Sequence, residues 1–351
     1  MTGRSTLAAV AATLLAAGAV AAAASGAGAP PPPKSTTGAA VKLVASGLHT
    51  PTSFAFGGGS IFEGDGGAQS SKKAPPNGGV FVIAGGKGVK LAGSPQFVAG
   101  LAWHAGTLYV SGGSLTGPTT ATWQLLAWSG WNGAKFAHRK VIYTAPKQFQ
   151  GFNGLAVGPD GRLYVGVDVG LTDGNDHGPA TTSPYLYDIL SLSTKGGDVK
   201  VFARGMRQPW QFAFPAGSQT PLVSDLALDN GAASKTAPDL ILHVHQGDDY
   251  GFPSCTWTPG SACSGLAKPF ARFAPHTDIM GLRVIGSQLY MTSFAGPGGK
   301  GPGGEVLTMP ASGGKVKPLV TGFVAPVVGL GAHSGRLYIG ELTGQVFEIK
   351  P

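Results

Sequence analysis

From residue 153 to residue 168 the chain reads NGLAVGPDGRLYVGVD. Leu155 and Val157 alternate with Ala156, Pro159-Asp160-Gly161 supplies turn chemistry, and Leu163, Tyr164 and Val165 restart an apolar run. The pattern predicts two short strands joined by a tight turn. Weaker copies recur at 53–62, 100–110, 211–223, 281–291 and 329–339. One apolar residue marks the start of each copy: Phe54, Leu101, Leu155, Phe212, Leu282 and Leu330, at steps of 47, 54, 57, 70 and 48 residues. Six copies near the length of a four-stranded blade predict an all-β fold, a six-bladed β-propeller.

Each unit offers a third strand, at 79–84, 124–129, 188–193, 239–245, 305–310 and 345–350. Fourth strands follow at about 89–91, 136–144, 199–204, 268–273 and 316–321. The last unit stops one strand short, while 41–48 (VKLVASGL) is a strand without a unit of its own. Pairing the two closes the ring and removes its open edges. First-to-second turns are short, and most third-to-fourth turns are too. Second-to-third connections are long, at about 64–77, 112–122, 170–187, 226–238 and 295–304. In an up-and-down blade these long loops share a face with the links between blades. Long loops on a rigid scaffold carry binding groups, so that face is the expected site.

Composition agrees with a turn-dense β protein: 58 Gly and 27 Pro among 351 residues, 42% hydrophobic and 12% charged. That hydrophobic share excludes a disordered chain. Residues 1–29 read as an export signal: Arg4, an Ala/Leu-rich run, then small residues. Residues 30–40 read as a Pro-rich linker and 41–351 as the propeller. The protein is therefore expected to be secreted or extracytoplasmic, with no membrane span once the signal is removed. The net charge of +8 is spread thinly, with only Lys72-Lys73 and Arg139-Lys140 adjacent, which argues against nucleic acid. No apolar surface stripe suggests an oligomer, and a monomer is expected. The only cysteines, Cys255 and Cys263, flank a Pro-Gly turn and read as a local disulfide.

On the expected site face the links contribute His49, Gln150, Asn153, Arg207, Gln208, His276 and Asp278. The long loops add Glu63, Asp65, Asp168, Asp173, Asp176, His177, Asp225, Asp229, Asn230 and Lys300, a polar funnel of mixed charge. His243-x-His245 would set two imidazoles on one side of a strand, but no third ligand keeps a fixed spacing with them. There is no nucleophile elbow and no phosphate loop.

Four segments in order, GMRQPWQFAF (205–214), VSDLALDNG (223–231), APDLILHVHQGDDYGFPSC (237–255) and PFARFAPHTDIMGL (269–282), resemble the soluble quinoprotein glucose/sorbosone dehydrogenases. The opening VKLVASGLHTPTSFAFGGGSIFEGDGG (41–67) is similar to that family's start. The resemblance spans roughly 41–350. It implies pyrroloquinoline quinone (PQQ) held over Ca²⁺, a sugar or polyol substrate, a histidine base and hydride transfer to the quinone. It also implies an electron acceptor as partner. Carried across, Arg207 would contact the quinone, with Gln208 beside it and Lys300 as the remaining basic loop residue. Asp229, Asn230 and Gly231 fall where backbone carbonyls would hold Ca²⁺, and Asp225 competes for that place.

The departures are specific. The family's catalytic histidine position is Gln150, and an amide cannot act as base. Asp168 stands one residue away from the family's orienting aspartate, which on a strand reverses its face unless a bulge compensates. His49, His177 and His276 are candidates for a displaced base. Three readings stay open: an exported PQQ-dependent sugar dehydrogenase, a non-catalytic propeller that binds carbohydrate or a cell-envelope partner, and a Ca²⁺-dependent lactonase.

Overall fold

A computed structural model describes residues 31–67, 77–117, 120–169, 183–228, 233–296 and 303–351. They form six antiparallel sheets, one per blade, with four blade strands in each. The inner strands are Pro51–Gly57, Phe97–His104, Phe152–Val157, Pro209–Ala213, Ile279–Ile285 and Val327–His333. The second strands are Ser60–Asp65, Thr107–Leu115, Arg162–Val167, Leu222–Asp225, Gln288–Ser293 and Arg336–Glu341. Each inner strand touches the inner strands of both neighbours, the last meeting the first, so the ring is closed. The outer strand of blade 6 is Lys42–Ala45, paired with Gln345–Ile349. The expected exchange of strands between the chain's two ends is therefore present.

The six landmark residues from Phe54 to Leu330 are all buried. Just before each of them the inner strand slips register against the second strand. The same bulge thus recurs six times. It involves Thr52, Ala99, Asn153, Trp210, Met280 and Val328, each two residues ahead of its landmark. Bulges at a barrel-like rim re-aim side chains, and these sit where the chain enters each blade from the loop face.

Neighbouring blades are stitched at these bulges. Ser111 Oγ donates to Asn153 O (2.9 Å), Ser224 Oγ to Met280 O (2.9 Å) and Thr292 Oγ1 to Val328 O (3.0 Å). In blades 1 and 3 the second strand has glycine at that place, Gly64 and Gly166. There the donor comes from the inner strand instead: Thr52 Oγ1 to Val98 O (2.7 Å) and Asn153 Nδ2 to Pro209 O (3.0 Å). Blade 6 carries Gly340, packed so tightly on Pro51 that an added Cβ would lie 2.6 Å from its Cβ. No matching side-chain bond crosses this sixth junction among the described residues.

Two expectations need amending. The stretch 30–40 is not only a linker: Lys34–Ser35 pairs with the outer strand of blade 5 and gives that blade a fifth strand. In blade 4 the third-to-fourth connection is long. After Asp239–His243 the chain climbs the outer edge of blade 3, with Gly247 N on Phe202 O (2.8 Å), Arg204 N on Asp248 O (3.0 Å), Tyr250 N on Arg204 O (3.1 Å) and Phe252 N on Gly205 O (3.0 Å). It returns only at Ala271–Phe273, shortening the fourth strand expected at 268–273. Gly205 has a left-handed backbone there, and an added Cβ would lie 2.3 Å from Asp249 Oδ1. The Asp-Tyr-Gly-Phe-Pro run is thus a buttress, wedged by the fully buried Tyr250. The export signal (1–29) lies outside the described residues. Among the described residues no helix is long and apolar enough to cross a membrane.

Candidate functional site

The links and strand ends of the loop face fall into equivalent rings. Gly66 N bonds Thr50 O, Asp168 N bonds Gly151 O, Leu226 N bonds Gln208 O, Phe294 N bonds Asp278 O and Leu342 N bonds Pro326 O. The residue ahead of each acceptor is therefore equivalent too: His49, Gln150, Arg207, Thr277 and Ala325. Strand pairing puts Gln96 at this position in blade 2. The sequence-derived candidates His49, Gln150 and Arg207 thus occupy one ring on blades 1, 3 and 4. His276 stands one residue outside it.

Buried carboxylates at the ends of second strands hold this ring. Asp65 Oδ2 accepts His49 N (2.7 Å), and its Oδ1 accepts Thr50 N (3.0 Å) and Gly67 N (2.6 Å). Asp225 accepts Arg207 N (3.3 Å) and Gln208 N (2.6 Å), while Glu341 accepts Val324 N (2.8 Å) and Ala325 N (2.9 Å). Asp239 does similar work on blade 5, accepting Asp278 N (2.8 Å). Burial pushes the Asp225 carboxyl up to about 7 against the opposing pull of the Gln208 and Arg207 amides. The acids of the loop face are thus largely anchors of backbone amides.

Blade 3 differs. The residue equivalent to Asp65 and Asp225 is Val167, and the acid follows one place later at Asp168. The bulge lies in the inner strand, and the second strand pairs with the third without a break, so the one-residue offset stands. Asp168 consequently joins Leu226, Phe294 and Leu342 in the ring at the channel mouth. It stands beside Gln150: an added Cβ on the intervening Gly151 would be 3.2 Å from Asp168 Cβ and as close to the Trp123 ring. Gln150 is half-buried, and its Nε2 donates to Gln148 O (3.2 Å).

Arg207 is 2% exposed. Its Nη1 donates to Ala227 O, Leu226 O (3.4 Å) and Gln208 Oε1 (3.4 Å). Beneath it a cavity of about 20 Å³, lined by Asp225, Phe252, Cys255 and Trp257, has room for roughly one water. The His49 side chain is about a third exposed. Asp65, with Oδ2 3.7 Å from Nδ1, raises the imidazole above its ordinary value, and Nε2 faces the Asn77 amide (2.8 Å). Lys300, Asp229, Asn230, Gly231 and His177 lie outside the described residues. Cys255 and Cys263 form the expected disulfide. His243 is bonded to Thr220 Oγ1 (2.7 Å) and His245 lies 3.4 Å from Asp248, but no set of three His, Cys, Asp or Glu side chains could hold a metal among the described residues.

The sequence reading overlooked how unevenly the mouth is divided. Trp210, Met280 and Val328, the bulge residues of blades 4, 5 and 6, pack into one cluster with Leu226, and Phe294 and Leu342 lean on it. Across the ring, blades 1 to 3 place Thr52, Ala99 and Asn153 at the same bulge. On the same blades the half-buried amides Gln96 and Gln150 stand on the loop face with the buried Asp168, and Gln208 follows on blade 4. Counting two residues back from each landmark would have found the apolar half.

The chain is thus a closed six-bladed propeller whose loop face is polar on blades 1 to 3 and apolar at the bulges of blades 4 to 6. The fold is shared with several solved structures. An oxidoreductase from Thermus thermophilus described as a glucose dehydrogenase superposes with a TM-score of 0.69 over 89% of this chain and 100% of its own, at 18% identity. The soluble aldose sugar dehydrogenase of Escherichia coli gives 0.64 over 88% and 98%, at 14% identity. A gluconolactonase from Xanthomonas campestris gives 0.57 over 93% and 98%, at 16% identity. The chain matches no protein-family model and no curated protein sequence.

Proposed function

We propose that the protein takes a neutral sugar or polyol at the channel mouth, as an exported propeller of the sugar-dehydrogenase type. One observation carries this reading: the loop face sets the amides Gln96 and Gln150 with Asp168 on blades 2 and 3, while blades 4 to 6 place Trp210, Met280 and Val328 at the equivalent inner-strand bulges. A sugar ring has hydroxyl edges and an apolar face. Amides can both give and receive hydrogen bonds from hydroxyls, and an aromatic or aliphatic wall suits the C–H face. At the junction of blades 3 and 4, Asn153 Oδ1, Trp210 Nε1 and Gln211 Nε2 are buried without hydrogen-bond partners, so this sector favours neutral polar atoms.

The sugar fits these residues better than PQQ does. A tricarboxylate needs cations, and Arg207 already directs its Nη1 to Ala227 O and Leu226 O. Gln150 cannot accept a proton from a hydroxyl. No step through the quinone is derived from these residues. The oxidative version keeps one specific support: Arg207 is held at the mouth ring by Asp225 and braced by the 244–270 excursion. The reading is tested by melting the mature protein with neutral aldoses, polyols and the corresponding sugar acids, and separately with PQQ plus Ca²⁺. Stabilisation by a neutral sugar alone supports binding, while added stabilisation by PQQ and Ca²⁺ with reduction of an artificial acceptor supports the dehydrogenase. No shift with any sugar would end the proposal.

A further inference from the structure

The residue that pairs with each landmark on the second strand is fully buried in all six blades. Five are apolar: Val110, Val165, Val223, Met291 and Ile339. In blade 1 it is Glu63, paired with Phe54, and neither of its carboxylate oxygens has a hydrogen-bond partner. Strand alternation fixes where it points. Phe62 stacks on Trp103, and an added Cβ on Gly64 would meet Val98, so those residues face blade 2. Ile61, Glu63 and Asp65 therefore face blade 6, across the junction that closes the ring.

That junction is the weakest sewn of the six. Among the described residues it lacks the side-chain bond seen at the other five. Blade 6 lines it with Gly329, Gly331 and Gly340, where an added Cβ would lie 2.7 Å from Pro51 O, 2.6 Å from Phe54 Cβ and 2.6 Å from Pro51 Cβ. At its foot, on the turn face, a cavity of about 200 Å³ opens between Phe56, Ile61 and His333. We propose that Glu63 is a proton-operated latch on this seam: with its proton it packs as a neutral group, and losing the proton to solvent leaves an unpaired charge that loosens blade 6 from blade 1.

Among the described residues, few charged or titratable groups face the seam. Asp65, on the same strand face, is the nearest, and His49 lies above it. The third strand opposes Glu63 with Phe81. On the fourth strand Lys90 turns away to Asn77 O. Blade 6 brings Tyr338, the Arg336–Glu348 pair (2.7 Å) and, at the turn face, His333 stacked on Phe56. None of them hydrogen-bonds Glu63. Burial first and the Asp65 charge second hold its carboxyl well above the usual carboxylate range; the Thr52 N–H opposes the shift from nearby without meeting hydrogen-bond geometry. The sign follows from linkage. The unfolded chain gives up this proton near the ordinary glutamate value while the fold keeps it. The latch therefore contributes fully below that value, and its contribution is lost as pH rises through the native one.

The test compares melting temperatures of the full chain and Glu63→Gln from about pH 5 to about pH 9. The gap in favour of the variant should widen with pH, by a few degrees. Hydrogen exchange should show the pH-dependent opening in the inner strands of blades 6 and 1, and not in those of blades 3 and 4. Parallel melting curves, or opening spread evenly over all blades, would overturn the latch. Should Glu63→Gln not fold, Glu63→Met places the residue found at the same position in blade 5 and is read in the same way.

Discussion

Asp225 Oδ1 accepts the backbone N–H of Gln208 at 2.6 Å, and its other oxygen takes that of Arg207. One buried carboxylate thereby sets the start of blade 4 and the place of the mouth arginine together. Asp225→Ala should leave both amides unpaired and cost roughly 2–4 kcal/mol in urea unfolding. Asp225→Asn keeps one acceptor and should cost less. Sugar-induced stabilisation should fall in both variants if Arg207 and Gln208 are positioned through this group.

The junctions between blades should differ in how they tolerate change. Ser224→Ala and Thr292→Val each delete one stitch, to Met280 O and Val328 O, and also unpair the buried N–H of Gln211 or Gly281, so each should cost roughly 1–3 kcal/mol. Gly340→Ala adds a methyl where Pro51 is already in contact and should cost roughly 1–3 kcal/mol by overpacking. Denaturant midpoints at constant slope would check all three.

Stability should be highest in mild acid. Asp225 is pushed up to about 7 and Asp188 to about 6, each chiefly by burial. Both carboxyls hold a proton in the fold that the unfolded chain has released. Their contribution is complete below the ordinary aspartate value and declines as pH rises through about 6 to about 7. A melting temperature that rises steadily between those values would contradict this. Asp225→Asn should remove part of the decline.

The disulfide closes a short loop at the crest of the blade 4 excursion, with Cys255 against the cavity beneath Arg207. Reduction, or Cys263→Ser with Cys255→Ser, should cost roughly 2–3 kcal/mol. The loss should appear first as faster exchange at Tyr250–Cys255 rather than as opening of the ring. A double variant as stable as the parent would show that the excursion is held by Tyr250 and its backbone pairing alone.

The propeller was legible because burial of Phe54, Leu101, Leu155, Phe212, Leu282 and Leu330 repeats with the blade. The closing strand was legible because the last unit visibly lacked one. The site was legible only in part. Arg207 and Gln150 stood out by comparison with a family motif, but their shared ring position depends on hydrogen bonds between strand ends, which no local pattern encodes. In the sequence Asp65 stood among the polar residues of the site face, and Asp225 competed for the Ca²⁺ place. In the fold they are occupied by backbone amides, as is Glu341, a role that requires knowing which link lies above which strand. The 244–270 excursion was hidden for a similar reason: its pairing partners, Phe202 to Gly205, belong to the preceding blade.

A pull on the N-terminal end of the described chain would meet two strands in series. Lys34–Ser35 grips blade 5 by a single short pairing, and Lys42–Ala45 completes blade 6. The first can peel away without breaching the ring, whereas the second carries the closure itself. The protein thus has a mechanical fuse ahead of its clasp. A force–extension trace with the handle at residue 31 should show a small early yield before the main rupture, and deleting residues 31–37 should abolish that first step alone.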